Sequence, residues 1–507
     1  MALVSTRVLA AIAIVLIIVA GVGGYYSGSL AAPPVTTTVT STREVTSTVT
    51  TTTTLAPGAP YTTTVTVTQP PTTVTRTVTT TVTVTQPPTT VTITSPTTVT
   101  RTVTTTVTTT ATPTPPPQPL AGQVLRVGVV QPLTGPFAYE AESGLYGIML
   151  ATEEINAAGG ILGAKIELFV EDFGGDPKVA GSAAEKLITV NKVHVIRGSY
   201  TSASMYVIAP IAEKYKIPVL TVGCSAKELT EQGWKYLFKT APNSTAFNIK
   251  AVEFLKKVVE PHLKLGRPLK VAILHDTSLI AVSDKDAFLE QRKLQAPDWE
   301  IVAIESYTIG TLDFRPIIDK LKPLKPDVVG ISAFAGDGAL LLKQSAEAGF
   351  KPAVWIGIGG GGTQAPKFIE LAGEYCKYFF GGNEYWFDRQ YPNPKALEEF
   401  GKKFFQRWGR PLDFQSWVGY AGMYMLKAVI EKYQKIDPEV IREGLATMKF
   451  YFDWVGELFF YPNGQMNSIV TITQILPATP KDIWSVHGLT FRTVYPAPYK
   501  AADPVLP

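Results

Sequence analysis

The chain has 507 residues, with 46 basic and 42 acidic side chains and a formal charge of +4. Residues 1–120 hold four of the basic residues (Arg7, Arg43, Arg76, Arg101) and one acid (Glu44), leaving 42 and 41, a formal +1, for residues 121–507. A near-neutral body lacks the charge footprint of a nucleic-acid binder. The only two cysteines, Cys224 and Cys376, allow one disulfide at most and fit no zinc spacing.

Arg7 precedes an apolar run, Val8 to Gly24, which ends at Tyr25-Tyr26. About 17 residues is the short edge of a membrane span and the long edge of a signal segment. The basic residue before the run and the aromatic pair after it favour an uncleaved anchor over residues 1–30, with the rest exported. Residues 31–121 are almost all Thr, Val and Pro. "TVTVTQPPTTVT" occurs at 64–75 and again at 81–92. With few large side chains to bury, the ordering entropy is not offset, and a disordered stalk is expected. At about 3.1 Å per residue such a stalk reaches on the order of 250 Å. Its many hydroxyls suit O-glycosylation.

The texture changes after Pro119. "LRVGVVQ" (125–131) reads as a buried strand, "LYGIMLATEEINAAGG" (145–160) as a helix ending at glycines, and "KIELFVED" (165–172) as a strand. Asp176-Pro177 opens a helix over 176–191. The strand "VHVIRG", the helix "SMYVIAPIAEKY" and the strand "IPVLTVG" follow. The alternation continues through "KVAILHD" (270–276), "FRPIIDKLKPL" (314–324), "PDVVGISAF" (326–334), "GALLLKQSAEAGF" (338–350) and "AVWIGIG" (353–359). Continuous apolar strands alternating with helices predict an α/β fold with parallel sheets covered on both faces. The length predicts two doubly wound lobes, with ligand loops at the carboxyl ends of the strands.

Gly357 to Gly362 satisfies G-x-G-x-x-G. No GK[ST] follows, and the motif lies late in the chain, so nucleotide binding is not expected. There is no nucleophile elbow, HExxH or Walker lysine, and neither a catalytic role nor a cofactor is expected. Glu171, Asp172 and Asp176 read as turn acids rather than a calcium site. Asn243-Ser244-Thr245 is a glycosylation sequon.

The ordered series "VGVVQPLTGPFA", "GIMLATEEINAAGGILGAKIELFVEDFGGDP", "VLTVGCSAKELTEQGWKYLFKTAP", "DFRPIIDKLKPLKPDVV", "GYAGMYML" and "GELFFYPNGQ" resembles periplasmic binding proteins of the leucine/isoleucine/valine type. The resemblance runs from about Leu125 to Leu476. It implies a type I Venus-flytrap fold at 122–476, with lobe 1 at about 122–243 and 384–450 and lobe 2 at about 244–383 and 451–476. A Pro-rich tail, 477–507, lies outside the match. Hinge crossings are expected at Ala241–Ala246, Gly382–Phe387 and Lys449–Val455. The resemblance also implies a small-molecule ligand, delivery to an ABC permease, and no nucleic-acid partner. A receptor ectodomain working with a partner protein is the alternative use of the fold.

Carried over by position, the ligand's polar end falls on Thr201, Gly223 and Ser225, with Tyr200 and Phe334 as walls and Ile280 in place of a common aromatic. The first two loops place hydroxyls near helix N-termini, which suits an anion. Gly359 stands where the family often has a glutamate for the ligand ammonium. Either another acid enters the cleft, with Glu140, Asp337 and Glu384 as candidates, or the ligand has no ammonium: an amide, a keto acid or another carboxylate.

Overall fold

The structure is a computed structural model that describes residues 35–40, 48–53, 61–68, 78–84 and 118–507, apart from 360, 384–392, 480, 481, 483 and 484. The apolar run at 8–24 lies outside these residues. Among the described residues no helix is long and apolar enough to cross a membrane. The chain divides into two compact units, Met1–Pro116 and Pro117–Pro507. In the first, the strands Val35–Thr40, Thr48–Thr53, Tyr61–Thr68 and Val78–Val84 pair antiparallel in sequence order. This corrects the expectation of a wholly disordered stalk. The Thr/Val alternation that extends the backbone also suits it to pairing, which satisfies its N–H and C=O groups.

In the second unit, β1 (Val124–Gln131), β2 (Lys165–Asp172), β3 (Val195–Gly198), β4 (Val219–Leu220) and β5 (Leu237–Phe238) make an all-parallel sheet in the order β2-β1-β3-β4-β5. They are linked by α1 (Ala138–Ala157), α2 (Pro177–Thr189) and α3 (Ser202–Tyr215). Asp176 starts α2 by accepting the Lys178 N–H at 2.8 Å. The Asp172 carboxylate is a turn device. It accepts from the N–H groups of Leu133 and Gly174 and from the Thr134 hydroxyl.

The chain then enters the second lobe through α4 (Ser244–Phe254), which Asn243 caps by accepting the Ala246 N–H at 2.9 Å. There follow β6 (Lys270–Asp276), α5 (Leu279–Gln295), β7 (Glu300–Tyr307), α6 (Arg315–Leu321), β8 (Val328–Ser332), α7 (Ala335–Glu347), β9 (Val354–Gly357), α8 (Pro366–Ala372) and β10 (Phe380–Asn383). Returning to the first lobe, it forms α9 (Pro394–Trp408), α10 (Phe414–Tyr433), α11 (Pro438–Thr447) and the hairpin β11 (Phe450–Phe452) and β12 (Gly456–Leu458). It ends in the second lobe with β13 (Thr471–Pro477) and β14 (Leu489–Tyr495).

The second sheet runs β7-β6-β8-β9-β10-β13-β14, parallel as far as β10 and antiparallel beyond it. It is therefore mixed, not wholly parallel as expected. Its last strand comes from the segment set apart in sequence as a Pro-rich tail. Val494, Ala502 and Leu506 of that segment pack into the second lobe's core.

The third crossing also moves. Phe450, Phe452, Val455, Leu458, Phe460 and Met466 all pack in the core of the first lobe with Trp417, Tyr420 and Phe400. Trp454 stacks on Phe400, with ring centroids 4.9 Å apart. Burying that aromatic hairpin outweighs an early exit, so the chain crosses between Met466 and Thr471 rather than at Lys449–Val455. The first crossing lies beside it: Lys239 N–H donates to the Gly464 carbonyl at 2.8 Å, and Met466 N–H to the Lys239 carbonyl at 2.9 Å. The second crossing continues from β10 into residues outside those described.

Candidate functional site

Two loops at the carboxyl ends of first-lobe strands build one wall of the cleft. After β3 the chain runs Ser199-Tyr200-Thr201 into α3. After β4 it runs Gly223-Cys224-Ser225. Gly223 has φ +115° and Cys224 φ +67°. A Cβ on Gly223 would stand 3.2 Å from the Tyr200 ring, so glycine is required there for both space and conformation. The loops are tied together: the Cys224 thiol donates to the Ser199 carbonyl at 2.8 Å, and the Cys224 N–H to the Tyr200 carbonyl at 3.2 Å. Tyr200 N–H donates to Gln131 Oε1 at 2.9 Å.

Tyr200, Thr201, Gly223 and Ser225 thus converge on one compartment, faced by Ile280 and Phe334 from the second lobe. The compartment encloses about 350 Å³, mouth included. The Thr201 hydroxyl donates to Ser204 Oγ at 2.8 Å. Rotating both hydroxyls frees the Thr201 proton for a ligand while Ser204 donates in return. Phe334 meets Phe137 with ring centroids 4.7 Å apart and Tyr200 at 6.2 Å, which gives the compartment an aromatic wall drawn from both lobes.

A second compartment adjoins the first through Tyr200, Ser225, Gly361, Phe414 and Gln415, and extends to Glu140, Gln364, Asn383 and Phe247. Glu140 sits in the first turn of α1 and is only 3% exposed. Burial pushes its carboxyl up to about 8, helped by the Asp413 charge and opposed by Arg410 and Lys367.

The other candidate acids are placed differently. Asp337 is turned to the Gly310 N–H, which its oxygens accept at 3.1 and 3.2 Å, and it lines neither compartment. Glu384 lies outside the described residues.

Gly359, expected as a ligand contact, lines neither compartment. A Cβ there would stand 1.8 Å from Asp284 Oδ2. The glycine run makes room for this buried carboxylate and for the turn into α7: Cβ atoms on Gly361 and Gly362 would stand 2.8 Å from the Ala333 carbonyl and 2.3 Å from the Ala335 N–H. Among the described glycines of the run, Gly361 and Gly362 border the cleft.

Phe414 and Gln415, absent from the sequence reading, come from the first turn of α10. The local signal there was the capping box, in which Asp413 Oδ1 accepts the Ser416 N–H at 2.9 Å and Ser416 Oγ accepts the Asp413 N–H at 2.9 Å. Gln364 and Asn383 had no local signal. They meet because β9 and β10 end side by side.

Two α/β lobes hinged by adjacent crossings, with polar loops facing each other across a cleft, define a small-ligand flytrap. The family model described as periplasmic binding protein matches residues 124–480, and the chain belongs to that family. Leu/Ile/Val-binding protein homolog 7 of Brucella abortus (strain 2308) is 28% identical over 331 residues, covering 64% of this chain and 81% of the relative. Among solved structures, the fold is shared with the leucine binding protein LivK of Thermotoga maritima, which is 23% identical with TM-score 0.62, over 73% of this chain and 98% of that one. It is shared too with a Rhodopseudomonas palustris solute binding protein in complex with 4-hydroxybenzoate, at 19% identity and TM-score 0.63, over 75% of this chain and 98% of that one. The protein is a solute-binding protein of the ABC-transporter type.

Proposed function

We propose that this protein delivers a small carboxylate-bearing compound to an ABC permease, closing its lobes over the ligand. The carboxylate end binds the first-lobe wall. The observation that carries this is the convergence of Thr201, Gly223 and Ser225 on one compartment beside the N-terminus of α3, where a hydroxyl pair and free backbone N–H groups suit an anion. Branched-chain amino acids are the reference ligands, since leucine/isoleucine/valine-binding homologues are similar in sequence. Keto acids, amides and aromatic acids fit the same anion wall.

Calorimetry with leucine and with its keto acid tests this. Thr201→Ala and Ser225→Ala should each weaken binding by roughly 10-fold or more, the scale of a hydrogen bond to a charged group at about 1.5–3 kcal/mol. Unchanged affinity in both variants sinks the anion wall.

The body is held outside the cell by residues 8–24, with residues 33–118 as its tether. Membrane fractionation of intact cells should recover the full-length chain in the membrane fraction, and recovery only as soluble full-length protein contradicts the tether. No catalytic role is proposed.

A further inference from the structure

We infer that the second compartment is a built subsite for a primary carboxamide, so that the ligand carries a carboxylate at one end and an amide at the other. This rests on the anion wall proposed above and names the chemistry of its far end. Two buried polar groups face this compartment without a partner. Asn383 is 3% exposed, lines the compartment, and its Nδ2 has no partner. Gln364 lines it with a buried, unpartnered Oε1. The Gln364 side chain is held there because Gly357 and Gly381 make room for it: Cβ atoms at those positions would stand 2.7 and 2.2 Å from Gln364 Nε2. Glu140 lines the same compartment, its carboxyl already accepting a backbone hydrogen bond.

Buried polar atoms in folded proteins are almost always paired, so two unmet groups of opposite kind around one space describe what fills it. Asn383 Nδ2 needs an acceptor, whereas Gln364 Oε1 needs a donor. An ammonium group supplies only donors and leaves Asn383 unmet. A second carboxylate supplies only acceptors and leaves Gln364 unmet. A branched alkyl group satisfies neither. A carboxamide presents its carbonyl oxygen to Asn383 and an N–H to Gln364. Phe414 and Phe247 supply apolar walls for the methylenes between its ends.

The test is calorimetry of the full-length chain with three carboxylates of matched length: succinamate, its isostere 4-methylpentanoate, and 4-aminobutanoate. Succinamate should bind at least tenfold tighter than either of the others. Asn383→Leu and the near-isosteric Asn383→Asp should remove that preference, with melting curves recorded to show that the variants fold. Gln364→Met should reduce it in the same way. Thr201→Ala should instead weaken all three compounds alike. If 4-methylpentanoate binds as tightly as succinamate and Thr201→Ala still weakens both, the amide subsite is wrong and the anion wall stands. Tightest binding of 4-aminobutanoate overturns the amide in favour of a cation subsite. Failure of all three to bind at millimolar concentration overturns the subsite and the anion wall together.

Discussion

Asp284 shows how a glycine in sequence can report on a residue far from it. Its carboxyl lies wholly buried behind Gly359, accepting from the Ser332 hydroxyl at 2.8 Å, and burial pushes it up to about 7. The ordinary carboxyl titrates near 3.8. The folded state therefore holds the proton more tightly than the unfolded one. Stability falls as pH rises from about 4 through about 7, and the cost is complete above that range, on the order of 4 kcal/mol. Asp284→Asn removes this cost while keeping an oxygen for Ser332. Its melting temperature relative to the unmodified protein should rise between pH 5 and pH 8.5. Glu140 titrates in both proteins and cancels in the comparison. Equal shifts at the two pH values would show that Asp284 is not the titrating group. From sequence, Gly359 was legible only as a missing glutamate. Its true neighbour is on α5, 75 positions away, and local pattern carries no sign of that pairing.

At the level of elements, continuous apolar strands and helix caps were legible because they are local: β1, β2 and β6 fall where periodicity placed them, and Asp176 caps as its Asp-Pro pair implied. What escaped depends on packing between distant segments. The third crossing is one case and β14 is another. Arg197 is a third. It sits inside the apolar strand β3, fully buried, and its guanidinium donates to the carbonyls of Leu220 (2.8 Å) and Thr221 (3.3 Å) beside β4, and of Val418 (2.8 Å) and Gly419 (3.2 Å) in α10. It fastens α10, and with it Phe414 and Gln415, to the sheet that bears the anion wall. Burial lowers its pKa to about 9, so it stays charged at neutral pH. A Cβ on Gly422 would stand 2.4 Å from the guanidinium, so that glycine in α10 is the space the arginine occupies. Arg197→Met fills most of that space yet removes four hydrogen bonds, although the Thr221 carbonyl keeps the Thr240 hydroxyl and the Val418 and Gly419 carbonyls keep their helical donors. At about 1 kcal/mol for each hydrogen bond lost, the loss should be roughly 2–4 kcal/mol. Urea denaturation measures it, and a loss under about 1 kcal/mol would show that this arginine does not join the two elements.

For the whole molecule, function turns on how weakly the lobes hold one another without ligand. In this structure they touch through the Phe334 ring against Phe137 and Tyr200, through Ile280, Leu279 and Ile309 against the first lobe's apolar cluster, through the Lys367 ammonium over the Tyr139 ring, through Lys227 N–H donating to Ser283 Oγ at 3.2 Å, and through a Lys227–Glu290 ion pair at 3.6 Å whose glutamate is half exposed. An aromatic pair contributes about 0.5–1.5 kcal/mol beyond burial, and an exposed ion pair about 0–1. If the proposed closure holds, open and closed forms are expected to interconvert across these contacts. A ligand bridging both walls shifts the balance by its difference in affinity for the two forms. Bending is expected at the described crossings, Ala241–Ala246 and between Met466 and Thr471. These two are clamped together by Gln465 Nε2 donating to the Ala241 carbonyl at 2.7 Å, so they should turn as one hinge. Small-angle scattering of the Pro117–Pro507 unit should show a smaller radius of gyration at saturating ligand than without it. Phe334→Ala should open the ligand-free form further while leaving the ligand-bound radius nearly unchanged. A radius that does not move when calorimetry shows the site full would mean that the lobes bind without closing, and the flytrap mechanism would fail for this protein.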